Sequence, residues 1–191
     1  MVQKELRKIT LAATLTAVSI VLDILFKLFI PPTFSFGFPF YAIPLVVGSI
    51  VLGPIYGGIM GFLSDLIGFY SNTNGYTYDI LFALQAISWG VIPYFLAKRN
   101  SNWLNVGIAV TVSHIIATTF SSVADYVGSL VWNGGNVEGA LSYMWIYTST
   151  RLMIMPANIV IITAVVNFVN QRLAPVYDAY IGPLKLKENS K

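Results

Sequence analysis

The chain has 191 residues, 56% of them hydrophobic and only 10% charged, with no cysteine, a formal net charge of +3 and a mean hydropathy of +0.72. Soluble globular domains carry roughly 25% charged residues, so this composition excludes a soluble globular protein and a disordered one. The missing cysteines exclude a disulfide scaffold, a thiolate metal site and a cysteine nucleophile. What remains is an all-α, polytopic membrane protein. At about 20 apolar residues per spanning helix, the chain holds about six helices in one membrane domain over 1–191.

The first apolar run covers 9–30 and stops at Pro31-Pro32, where the chain cannot continue as a helix. Its basic start (Lys4, Arg7, Lys8) resembles a signal peptide, but the run is too long for an ordinary h-region and lacks a small-residue cleavage site. It reads as a retained helix. A second, short run over 40–52 ends at Gly53-Pro54; it is below spanning length, so it is tilted, buried by neighbours, or both. The third covers 55–70 and gives way to Ser71-Asn72-Thr73-Asn74-Gly75. The fourth, 79–96, ends at Lys98-Arg99-Asn100. The fifth, 103–132, is closed by Asn133-Gly134-Gly135-Asn136, and the sixth, 141–169, is followed by a polar tail over 173–191.

Of the eleven basic residues, Lys27 lies at the far end of the first helix and Arg151 lies within a span. The other nine fall on one side if all six helices cross. The excess of Lys and Arg marks the cytoplasmic side, so both termini are expected there. The charge is thus an orientation signal toward a lipid bilayer; no basic run interleaved with aromatics points to nucleic acid. There is no GxxxxGK[ST] phosphate loop, no HExxH, no GxSxG elbow and a single histidine, His114. Neither ATP hydrolysis by this chain nor a cofactor is expected, and only the neighbourhood of Asp125 and Arg151 has groups enough for catalysis.

Charged residues inside a bilayer cost several kcal/mol unless they pair or line a cavity. Asp23 and Lys27, spaced i,i+4 near the outer end of the first helix, read as a local ion pair. Arg151 is about 15 Å into the sixth helix at 1.5 Å per residue, and Asp125 about 10 Å into the fifth. The depths allow a pair between helices. They also allow an arginine that meets a ligand carboxylate through its planar fork. Asp65 on the third helix, Gln85 on the fourth and Asn158, just after Pro156 on the sixth, join them as candidate ligand residues; helix–helix hydrogen bonding is the other reading of each, and the first reading of His114 and Asn105. Aromatics crowd the outer side, Phe36, Tyr76, Tyr78 and Trp145 among them, whereas an interfacial belt would mark both sides. That asymmetry suggests an outward-facing pocket, mostly apolar with a few placed polar groups. Small residues recur at Gly53, Gly57 and Gly61, for close packing within the chain, and at Ala13-x-x-x-Ala17, where a partner's helices could dock.

Three blocks carry a family resemblance: Phe36-Gly37-Phe38-Pro39; Leu52-Gly53-Pro54-Ile55-Tyr56-Gly57-Gly58-Ile59-Met60-Gly61; and Ser64-Asp65-Leu66-Ile67-Gly68. With Arg151 and Pro156, they resemble the S components of energy-coupling factor (ECF) vitamin transporters, most of all the folate-type branch. Ala13-x-x-x-Ala17 is similar to the alanine motif through which S components contact the shared transmembrane subunit. The resemblance implies a six-helix plasma-membrane protein that binds a vitamin from outside. It also implies partners: a shared transmembrane coupling subunit and two ABC ATPases. Folate is the first expectation, with cobalamin or pantothenate fitting a related S component. A secondary transporter would instead show inverted repeats, and no convincing repeat is found.

Overall fold

A computed structural model of the chain describes residues 2–29, 38–71, 78–97, 102–132 and 134–181, with side chains to 178. The described residues form six helices and no strand: α1 (Val2–Phe29), α2 (Ala42–Leu52), α3 (Pro54–Ser71), α4 (Ile80–Leu96), α5 (Trp103–Trp132) and α6 (Val137–Ile181). Val2–Phe29, Trp103–Trp132 and Val137–Asp178 are each long and apolar enough to cross a bilayer.

The helix boundaries have local chemical causes. Gly53 takes φ +98°, which a side chain resists, and Pro54 then supplies the first residue of α3, where its missing N–H is no loss. Asp79 caps α4 by accepting the Leu81 N–H at 2.9 Å. Asn102 caps α5 through the Asn105 N–H at 3.0 Å, and Asn136 caps α6 through the Gly139 N–H at 3.1 Å. Pro93 interrupts the backbone ladder of α4, and the Tyr94 N–H there meets Ser49 Oγ of α2 at 3.1 Å.

The short α2 is central. Eight of its eleven residues are buried, from Ala42 to Ile50, and it packs on α1, α3, α4 and α6. The expected burial by neighbours is therefore observed. Around it the other helices turn apolar side chains outward: Ile55, Ile59, Leu63 and Ile67 on α3, Leu152 and Met153 on α6. In water such a surface would cost about 25 cal/mol per Å²; hydrocarbon accepts it.

Two helix faces carry glycines for close approach. A methyl group added at Gly57 would collide with the Gly90 carbonyl, and one at Gly90 with the Gly57 carbonyl. One at Gly61 would lie 2.7 Å from the Ala86 carbonyl carbon and 2.9 Å from Ile87 Cα. The antiparallel α3 and α4 thus meet backbone to backbone, Gly57-x-x-x-Gly61 against Ala86-x-x-x-Gly90. The expectation of intrachain packing holds for Gly57 and Gly61, while Gly53 serves the turn.

Two boundaries depart from expectation: α1 starts at Val2 rather than at 9, taking in the basic residues Lys4, Arg7 and Lys8, and α6 is longer at both ends. α6 begins at Val137 and runs 45 residues to Ile181, so the stretch from 173, expected as a polar tail, is helical as far as it is described and is mostly apolar there. Pro175 does not stop it. Tyr177, 3% exposed, joins the core cluster that includes Ala97 and Val106 and anchors the extension. Near the start of α1, Tyr56 of α3 donates to Glu5 of α1 at 2.9 Å, and Lys8 pairs with Glu5 at 2.7 Å.

Candidate functional site

Polar side chains from α4, α5, α6 and the residue before α2 converge in the interior. Gln85 of α4 donates through Nε2 to the Tyr41 hydroxyl, just before α2, at 2.6 Å. Its Oε1 accepts from the Ser121 hydroxyl of α5. Asp125 lies one turn beyond Ser121 on the same face, and its Oδ2 accepts from Arg151 Nη1 of α6 at 2.5 Å. Arg151 and Asp125 are each 8% exposed. Both charges of this pair have left water, a state that persists only when they meet each other or another ion. Ser122 and Thr148 add a second α5–α6 link at 2.6 Å.

A second group joins α1, α3 and the entry to α4. Tyr78 donates to Asp65 Oδ2 at 2.9 Å. Burial and the Asp65 carboxylate raise the Tyr78 phenol, which keeps it a neutral donor near pH 7. Lys27 and Asp23 form the expected local pair at 2.5 Å, with 43% and 18% of their side chains exposed. Such a pair is worth at most about 1 kcal/mol. Ser19 of α1 bonds both the Tyr41 carbonyl and Ser64 of α3 at 2.7 Å, which ties this group to the first. Phe69, Tyr70 and Tyr78 stack above it with centroids 5.3–6.1 Å apart.

Deeper lies a third layer. Asn158, two turns below Arg151 on the same face of α6, approaches His114 Nε2 at 3.3 Å, and His114 Nδ1 meets Thr118 at 3.2 Å. The Trp89 ring packs edge-on against His114 at 5.3 Å, and its buried Nε1 has no hydrogen-bond partner among the described residues. This layer is helix–helix hydrogen bonding of the kind expected for His114. Asn105 does not share that role: its side chain is exposed near the start of α5.

Of the candidate ligand residues, Arg151, Asp125 and Gln85 fall in the first group, Asp65 and Tyr78 in the second and Asn158 in the third. Trp145 is 61% exposed on the outer surface of α6, apart from these groups. Phe36 and Tyr76 lie outside the described residues. Ala13 and Ala17 are exposed on the outward face of α1. Sequence reasoning missed Ser121 and the hydroxyl role of Tyr41. Ser121 carries a signal in its i,i+4 spacing from Asp125; nothing in the sequence sets Tyr41 apart from the neighbouring aromatics Phe38 and Phe40. Among the described residues no group of three His, Cys, Asp or Glu could hold a metal ion.

A family model, the substrate-specific component of ECF transporters, matches residues 7–170. The chain belongs to this family. It is therefore a membrane S component, the subunit of an ECF importer that takes a small-molecule substrate and works with coupling and ATPase components. No curated protein and no solved structure matches the chain.

Proposed function

We propose that this S component is the high-affinity vitamin-binding subunit of an ECF-type ABC importer in the plasma membrane. In this reading all six helices traverse the bilayer with both termini cytoplasmic, and the ligand enters from the outside. The reading rests on one observation above all, the convergence of Tyr41, Gln85, Ser121, Asp125 and Arg151 in a small-molecule transporter's interior. Only one of the five guanidinium N–H groups of Arg151 bonds Asp125, so the fork retains donors for a second acceptor. An acidic vitamin satisfies it, which favours folate first and pantothenate next; cobalamin is the neutral alternative. Gln85, Asp65, Tyr78 and Asn158 would supply further polar contacts, with Phe36, Tyr76 and Trp145 closing the outer mouth.

The test is calorimetric titration of the purified chain with folate, pantothenate and cobalamin. Saturable heat with one of them is the expected result, and absence of binding by all three would refute the vitamin reading.

The exposed Ala13 and Ala17 support a docking face for the coupling subunit, because small side chains let a partner helix approach closely. Ala13→Trp is expected to leave ligand affinity unchanged and to abolish uptake in vesicles containing the whole importer. Undiminished uptake would move the partner face elsewhere.

A further inference from the structure

We propose that Asp125 is an internal surrogate for the ligand's anionic group: it occupies Arg151 in the empty protein and is displaced when an anionic ligand arrives. This rests on the reading of Arg151 as a ligand-facing residue. A guanidinium 8% exposed in an apolar bundle cannot be left without a counter-ion. Arginine and a carboxylate frequently pair through two parallel N–H···O bonds. Here a single oxygen of Asp125 meets a single nitrogen, Nη1, from the neighbouring helix. One contact is the part of a bidentate grip that an exchangeable partner provides.

The surroundings fit exchange. Ser121, one turn from Asp125, and Gln85 are engaged with each other and with Tyr41, so the polar frame around the arginine is held by bonds that do not involve Asp125. Ser122 and Thr148 join α5 to α6 independently, so the helices need not part when the ion pair does. Pro156 stands five residues below Arg151 on α6 and removes one backbone hydrogen bond from the turn between them, which gives the arginine's segment local freedom. The surrogate also sets specificity. A neutral molecule cannot repay the loss of Asp125 from Arg151, so the pair selects against uncharged compounds of similar shape.

The sign of one substitution separates this from an Asp125 that contacts ligand or merely braces the bundle. Asp125→Asn removes the competitor and keeps the shape. Under exchange it binds an anionic ligand more tightly, by at least about tenfold, the fold-change of one charge-assisted hydrogen bond. Under contact or bracing it binds equally or less well.

The experiment uses the full chain in detergent and compares wild type, Asp125→Asn and Asp125→Asn/Arg151→Gln. Thermal stability is followed in sodium acetate, sodium benzoate and neutral acetamide at constant ionic strength, and folate and pantothenate affinities are measured alongside. The expected result is a rise in Tm with acetate or benzoate for Asp125→Asn alone, as the freed arginine accepts an external carboxylate. Asp125→Ser, which leaves more room beside Arg151, repeats the test if the asparagine variant does not fold. A folded variant that gains nothing from either carboxylate overturns the proposal, as does weaker vitamin binding by Asp125→Asn. Carboxylate rescue without any vitamin binding would leave the surrogate role standing and refute the vitamin reading; vitamin binding without rescue would do the reverse.

Discussion

Arg151→Met is expected to destabilise the bundle by about 3–5 kcal/mol, because it strands the Asp125 carboxylate in an apolar interior with its strongest partner gone. Adding Asp125→Asn to that variant removes the stranded charge and should restore most of the loss. Denaturant titration in mixed micelles of wild type, both single variants and the double measures the coupling directly. A coupling below about 0.5 kcal/mol would show that the two charges are held apart from each other in the folded protein. The same Arg151→Met variant should lose affinity for carboxylate ligands and keep whatever affinity it has for neutral ones. An unchanged affinity for folate or pantothenate would assign Arg151 to structure alone.

Gly57→Val is expected to be at least as damaging. The substituent would fall on the Gly90 carbonyl, which belongs to the backbone of α4 and cannot rotate aside. Overpacking a core against movable side chains costs about 1–3 kcal/mol; here two helices must separate, so a loss above about 3 kcal/mol is expected. Gly90→Val should behave alike, because the contact is reciprocal. Gly107→Ala is the control. Its nearest neighbour would be Thr163 Cγ2 at 3.7 Å, an ordinary contact, and it should match or exceed wild-type stability. Equal stability of Gly57→Val and Gly107→Ala by the same titration would show that α3 and α4 are further apart than described.

Much of this was legible in the sequence, for identifiable reasons. The boundaries at Gly53-Pro54, Asp79, Asn102 and Asn136 each coincide with a proline, a glycine or a polar residue whose backbone chemistry is local. The Asp23–Lys27 pair followed from i,i+4 spacing, and Asp125–Arg151 from matching depth on adjacent helices joined by a short turn. Gln85 was legible as a buried amide, but not its partners: Tyr41, at the entry to α2, lies 44 residues away in sequence, and no periodicity reports that distance. Ser121 was hidden because a serine in an apolar helix ordinarily bonds the carbonyl four residues back, as this one also does at 3.0 Å. The extension of α6 is hard to read although residues 173–181 are mostly apolar, with Asp178 their one charge: Pro175 argues against a continuing helix, and the burial of Tyr177 against the other helices is what supports it.

The α3–α4 crossing has a mechanical meaning. Where two helices touch through side chains, rotamers can change and the pair can slide or pivot. Where carbonyl meets α-carbon at Gly57 and Gly90, nothing lies between the backbones to rearrange, and the two helices move as a single strut. Opening that admits or releases a molecule then has to leave this contact intact, and the entry route is set by the helices that meet through side chains.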